Sequence, residues 1–220
     1  MALATLLTYS MMVIILKQVK RQPTMRYDAE HKQKTHDKLL KEAAKAIRRE
    51  GPHKVSVAGV MAKAGLTHGG FYAHFKNRDE LVAEGVAQMF RESAVRFAQS
   101  VEGRTPREAL ADYVDFYLSP AHRDARSTGC PLPFLSADAP RMPIAARTRF
   151  AEGVRGMEDR IAGQLAALGR RDVHAEAGSL VAELVGALAL ARAEPDQDRA
   201  DDMLARSRKR IIERFGLQAA

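Results

Sequence analysis

The sequence predicts an all-α protein with an N-terminal three-helix module, built on a helix-turn-helix, and a larger helical C-terminal domain. Three observations carry this. Apolar residues recur at three- and four-residue spacing along most of the chain, which is the helical period. Ala, Leu, Arg and Glu abound while β-branched runs are few and tryptophan is absent, so helix is favoured throughout. The 220 residues are 46% hydrophobic and 28% charged, a soluble composition with enough chain for one or two domains and a sizeable core.

The first helix of the module is expected from about Asp28 to Glu50. Leu39, Leu40, Ala43, Ala44 and Ile47 form its stripe, Lys38, Lys41, Lys45, Arg48 and Arg49 clothe it, and Gly51-Pro52 ends it. Ser56 caps the next helix, whose apolar face is Val57, Val60, Met61 and Ala64. Gly65 breaks that helix in a left-handed conformation, and Thr67 is expected to cap a second helix carrying Phe71 and Phe75 on its inner face. Thr67, His68, Gly69, Gly70, Tyr72, Ala73 and His74 then point outward. They are small or bear donors without acidic charge, a surface suited to the DNA major groove. Asn77 caps a long helix with Asp79 and Glu80 at its positive end and Leu81, Val82, Val86, Met89, Phe90 and Phe97 on its apolar face.

The C-terminal part begins near Thr105-Pro106, where proline at a helix start precedes Leu110, Tyr113, Val114 and Tyr117 and Pro120 stops the helix. Five prolines over 119–143 predict a broken loop with one helical turn near Phe134–Ser136. Three helices follow, Ala145 to Leu168 closed by Gly169, Asp172 to Ala193, and Asp196 to Phe215. Charge divides unevenly. Residues 25–78 hold 12 Lys/Arg against 5 Asp/Glu and five of the seven histidines, whereas residues 79–220 are slightly acidic. The basic excess lies on the helix-turn-helix module, the electrostatic footprint of a nucleic-acid binder.

AGLTHGGFYAHFKNRDEL resembles the helix-turn-helix signature of the TetR/AcrR family of bacterial transcription regulators, with the match running from about Lys34 to Leu81. Gly69-Gly70 and His68 depart from the usual pattern; each glycine weakens a helix by roughly 1 kcal/mol relative to alanine. The resemblance implies a DNA-binding domain over residues 33–93, with the helix-turn-helix at 56–75, and a ligand-binding and dimerisation domain over 105–218. It implies DNA contacts from Thr67, His68, Gly69, Gly70, Tyr72, His74 and Lys76, with Ser56 and Arg78 as backbone clamps. Tyr72, His74 and Lys76 would hold phosphates, and His68 and Gly70 would face the groove floor for base readout. It further implies a homodimer through the last two helices, where Gly178, Ala182, Gly186 and Ala189 form a smooth strip. A two-fold dimer spaces its recognition helices about 34 Å apart.

The same resemblance implies an effector pocket in the second domain, with candidate lining residues Tyr113, Phe116, Tyr117, Phe134, Leu135, Met142, Phe150 and Met157. Aromatics and methionines at such spacing also serve as plain core. Cys130 stands near His122, Arg123 and Arg126, which suggests a lowered pKa and a sensor of oxidants or electrophiles; the competing reading is an inert buried thiol. One cysteine excludes an internal disulfide and fits a reducing cytoplasm. No phosphate loop, metal spacing or catalytic constellation is visible, so no cofactor beyond a small-molecule effector is expected.

Residues 1–24 stand apart. Ala2 to Leu16 is apolar but short of the roughly 20 residues of a membrane span, and Lys17, Lys20 and Arg21 follow it. The segment is either a membrane-touching or partner-binding tail, or an artefact preceding a start at Met25; MRYDAEHKQKTHDKLL resembles a family start. No stable membrane insertion is expected. The whole reads as an operator-binding, ligand-released repressor, against the alternatives of an activator on the same scaffold or a ligand-blind architectural DNA binder.

Overall fold

The computed structural model describes residues 22–125 and 127–218, all of them helix, turn or irregular chain, with no strand among the described residues. The tail before Gln22, like Arg126, lies outside the described residues. The helices are α1 (Gln22–Glu50), α2 (Val57–Lys63), a 3-10 turn (His68–Ala73), α3 (Arg78–Val101), α4 (Pro106–Tyr117), α5 (Pro120–Asp124), α6 (Leu132–Leu135), a second 3-10 turn (Ala139–Arg141), α7 (Ile144–Ala167), α8 (Val173–Ala193) and α9 (Gln197–Phe215).

The chain divides into a unit ending at Leu39 and a unit of Leu40–Ala220. The described part of the first is the N-terminal stretch of α1, charged and exposed, with a Lys34–Glu30 ion pair at 3.0 Å and a Gln33–Asp37 hydrogen bond at 2.8 Å along its surface. Both are one-turn pairs of the kind that support an exposed helix by a few tenths of a kcal/mol.

Within the second unit the helix limits follow from local chemistry. Ser56, Asn77, Thr105, Ser119 and Asp196 each accept a backbone N–H of the helix they open. Thr105 and Glu108 form a reciprocal capping box ahead of Pro106. At the other ends Gly65, Gly169 and Gly216 take positive φ. After each, the next residue bonds back to the carbonyl five positions before it (Leu66 to Met61, Arg170 to Leu165, Leu217 to Ile212, at 2.9, 3.2 and 2.9 Å). This closure satisfies carbonyls that a helix end would leave bare.

Packing proceeds along the chain, α3 on α7, α7 on α8 and α8 on α9, with α4 wedged against α3, α7 and α9. The α3–α7 crossing is close because Gly153 lies under the Phe90 ring; a Cβ there would fall 2.2 Å from it. Phe90 in turn meets Phe150 edge-on at 5.8 Å. The segment 119–143 is less irregular than its prolines predict. Pro120 does not merely end α4, since with Ser119 as cap it opens α5. The expected turn near Phe134–Ser136 is α6, shifted to Leu132–Leu135.

Helix α8 is apolar and long enough, by length and composition, to cross a membrane, with a mean hydropathy of 1.4 over its most apolar stretch. Only 28% of that stretch is buried. Leu180, Val181, Leu184 and Leu188 face the core, whereas Leu190 is 61% exposed and a Cβ on Gly186 would meet nothing within 4 Å.

Candidate nucleic-acid interface and effector pocket

The turn of the helix-turn-helix is fixed by Gly65, and the two elements are clamped by apolar contacts. Val60, Met61, Phe71 and Phe75 are buried, and the Phe71 and Phe75 rings stack with centroids 5.6 Å apart. The second element differs from expectation. Residues His68–Ala73 form a 3-10 turn, and the Thr67 side chain makes no cap hydrogen bond; its carbonyl instead accepts the Gly70 N–H at 3.1 Å. Two adjacent glycines lack the propensity that would hold a regular α-helix over so short a span.

Thr67, His68, Gly69, Tyr72 and Lys76 are exposed, as is Ser56 at the start of α2, while His74 is half-buried beside Phe75. Tyr72 is 72% exposed even though its ring edge rests on Phe71. Gly70 departs from the expectation that it faces the groove floor. A Cβ there would rest against Met61 Cε at an ordinary contact distance of 3.5 Å, so the position turns toward α2.

Arg78 also has a task other than a clamp on DNA. Its guanidinium donates to the carbonyls of Val55 (3.0 Å), Pro52 (2.7 Å) and His53 (2.7 Å). These bonds staple the α1–α2 connection to the start of α3 and so hold Ser56 in position. Asn77 caps α3 through the Glu80 N–H at 2.9 Å, and the Glu80 carboxylate accepts the Lys76 N–H at 2.5 Å. That pair fixes where Lys76 leaves the turn.

A cavity of about 480 Å³ lies between α3, α4 and the α5–α6 segment. Of the candidate lining residues, Tyr113, Phe116 and Tyr117 line it, together with Cys130. Phe134, Met142, Phe150 and Met157 do not. Met142 and Met157 are buried core, Phe134 is half-buried on α6, Leu135 is fully buried, and Phe150 packs on Phe90 at the α3–α7 crossing. Sequence reasoning missed the α3 contribution of Ser93, Arg96, Phe97 and Ser100, and missed His122. The signal was there in the spacing: Ser93, Arg96 and Ser100 fall within one turn of Phe97, placing an arginine on an otherwise inward face.

The environment of Cys130 contradicts a low-pKa thiol. The side chain is buried, and burial pushes its pKa up. Arg123 is turned away to Asp201 (2.5 Å) and Asp124 (2.9 Å). His122 is neutral: burial in an apolar wall holds its pKa down at about 4. Its Nδ1–H donates to the Tyr117 carbonyl at 2.8 Å and its Nε2 accepts the Cys130 N–H at 3.0 Å, which fixes the tautomer. The imidazole therefore fastens the Cys130 loop by its backbone and does nothing to ionise the thiol.

The same loop is held from α1. Arg48, whose side chain is 2% exposed, donates from Nε to the Gly129 carbonyl at 3.2 Å and places Nη2 2.7 Å from Glu92 of α3. Gly129 is where a side chain has no room, since a Cβ would meet the Ala125 carbonyl at 2.9 Å and Arg192 Nη2 at 3.0 Å. Arg192 of α8 donates to the carbonyls of Arg123 and His122, at 3.0 and 2.9 Å. Among the described residues no cluster of His, Cys, Asp and Glu is placed to hold a metal ion.

Residues 39–84 match the family model for bacterial regulatory proteins of the tetR family. No curated protein sequence matches the chain. Solved structures do. A TetR-family transcriptional regulator from Agrobacterium tumefaciens is 24% identical, with 83% of this chain and 98% of that one covered at a TM-score of 0.69. E. coli NemR in its reduced form is 16% identical, with 82% and 97% covered at 0.72. A TetR regulator from Chloroflexus aurantiacus is 20% identical, with 83% and 96% covered at 0.69. The module of residues 39–84 and the all-α architecture agree with these structures. Residues 39–84 thus carry the DNA-binding module of the tetR family, and the chain as a whole has the fold of these regulators.

Proposed function

We propose that the protein is a cytoplasmic, homodimeric repressor that binds a palindromic operator and leaves it when a small molecule occupies the cavity beside Cys130. Thr67, His68 and Gly69 read base edges, and Tyr72, His74 and Lys76, with Ser56, hold phosphates. The apolar, largely uncovered face of α8 supports pairing of two copies through α8 and α9, which supplies the two half-sites that one short recognition element cannot.

The observation that carries effector release is Arg48. It belongs to the basic helix in front of the helix-turn-helix, and its guanidinium ends on Gly129, next to a cavity-lining residue. A ligand that displaces the Gly129–Cys130 loop acts directly on α1. Release then follows as a population shift: the effector must prefer the conformer whose two heads do not fit the operator.

Fluorescence anisotropy tests this with the purified full chain, DNA from upstream of its own coding region and a scrambled duplex. Salt-sensitive binding to the upstream DNA alone is expected. Equal affinity for the scrambled duplex overturns the operator-specific reading in favour of an architectural one. Reporter transcription with and without the protein separates repression from activation.

A further inference from the structure

The cavity carries a cation without a counter-charge of its own. Arg96 of α3 is half-buried, lines the cavity and has no hydrogen-bond or ion-pair partner among the described residues. The acids around it are already engaged. Glu92, one turn earlier, is held by Arg48 at 2.7 Å; Asp112 is held by Arg104 at 2.9 Å; Asp115 takes a two-pronged pair from Arg208. Burial and the nearby Arg48 both disfavour the Arg96 charge, yet a guanidinium stays ionised in a protein. Its lost hydration has no replacement in the wall.

Donors surround it. Burial holds the phenols of Tyr113 and Tyr117 protonated. The Tyr117 hydroxyl is fully buried with no nitrogen or oxygen partner among the described residues, and it meets the Cys130 thiol. The remaining wall is aromatic: Phe97 and Tyr113 meet edge-on at 4.9 Å, and Phe116 stacks on His122 at 5.0 Å. A volume of about 480 Å³ lies in the ordinary range for small-molecule sites.

We propose that the effector is an amphipathic monoanion, an apolar or aromatic body bearing one carboxylate or similar acid group, with Arg96 as its counter-ion. This rests on the effector-pocket reading above. A cationic ligand would meet no uncommitted carboxylate, and a neutral one would leave Arg96 desolvated and unpaired, which is costly. A monoanion satisfies the cation and keeps its body against the rings.

The test uses two fluorescent probes of similar shape on the full chain, anionic 1-anilinonaphthalene-8-sulfonate and uncharged N-phenyl-1-naphthylamine. Decanoate and decanol serve as matched competitors. Wild-type protein is expected to bind the sulfonate and release it to decanoate and not to decanol. Arg96→Gln should weaken the sulfonate by about tenfold to a hundredfold, the worth of one charge-assisted hydrogen bond, and leave the neutral probe nearly unchanged. Arg96→Lys should recover part of the loss, and Ser93→Trp, which fills the cavity, should abolish both. Unchanged sulfonate affinity in a folded Arg96→Gln protein overturns the anion assignment and leaves the pocket standing. No binding of either probe, or binding that Ser93→Trp does not touch, overturns the pocket reading and the proposal with it.

Discussion

His122 makes the fold acid-labile. The ring is 2% exposed, packed on Phe116 and Tyr117, with both nitrogens committed to backbone groups and Arg192 and Arg96 the charges facing it. A proton on Nε2 would lose the Cys130 N–H bond and bury a charge among cations. The folded pKa thus falls from 6.5 to about 4. Between those values the unfolded chain takes up a proton that the folded chain refuses. Stability from this residue is therefore complete above pH 6.5 and declines as pH falls, by about 2 kcal/mol at pH 5 and about 3 kcal/mol by pH 4. Urea midpoints of wild type and His122→Asn, measured at pH 7.5, 6 and 5 at constant ionic strength, isolate the effect. Asparagine keeps a donor for the Tyr117 carbonyl and loses the acceptor for Cys130, so it should be less stable at pH 7.5 by about 1–3 kcal/mol. The gap should narrow by about 2 kcal/mol at pH 5. A gap constant across that range would refute the reasoning.

Three further outcomes are expected. Gly153→Ala should cost about 1–3 kcal/mol by overpacking, because Phe90 is braced by Phe150 and cannot swing aside; a melting temperature within error of wild type would contradict the close α3–α7 crossing. Arg78→Met should lower the melting temperature and weaken operator binding while leaving the salt dependence of binding unaltered; a slope shallower by about 1.8, two contacts per dimer, would return Arg78 to a phosphate. Cys130 should react with a thiol reagent only as the chain unfolds in urea, and Cys130→Ser should leave DNA binding equally indifferent to mild oxidant; prompt labelling of the native protein would reinstate the sensor.

What was legible in the sequence was what local chemistry decides. Ser56 and Asn77 were read as caps and Gly65 as a left-handed break, and the Phe71–Phe75 pair was read as an inward stack. Each depends only on neighbours within a turn. The recognition element was overestimated because a helical pattern says nothing of length, and the Gly69-Gly70 doublet leaves too little propensity to extend a 3-10 turn. The inward aim of Gly70 is a tertiary fact set by Met61. Between the two readings of Cys130, the structure favours the inert buried thiol for the same kind of reason. Proximity in sequence placed Arg123 beside it, whereas the guanidinium found Asp201 on α9, far along the chain. Arg96 was passed over because an arginine between apolar positions reads as solvated until α4 and the α5–α6 segment are folded over it.

Arg48, Glu92 and Arg96 contain two cations and one carboxylate, and under the proposed function that imbalance would couple the cavity to α1. Glu92 is shared in electrostatic terms: it is bonded to Arg48 and attracts Arg96 from one turn away. Arg48 and Arg96 repel one another across it. An anion that neutralises Arg96 would remove that repulsion and leave Glu92 wholly to Arg48, so an effector of the proposed kind would act on the α1–α3 contact through charge as well as through the loop at Gly129. The interaction is electrostatic and screened, of the order of a few kcal/mol for neighbouring charges in a protein. Allosteric couplings are typically worth about 1–3 kcal/mol, so an interaction of this size suffices to shift operator affinity without any large rearrangement of the core. The same reasoning explains why Arg48 is buried with a hydrogen bond to a carbonyl as well as an ion pair. A cation held only by Glu92 would slacken whenever the carboxylate turned toward Arg96, whereas the Gly129 carbonyl keeps it registered on the pocket loop.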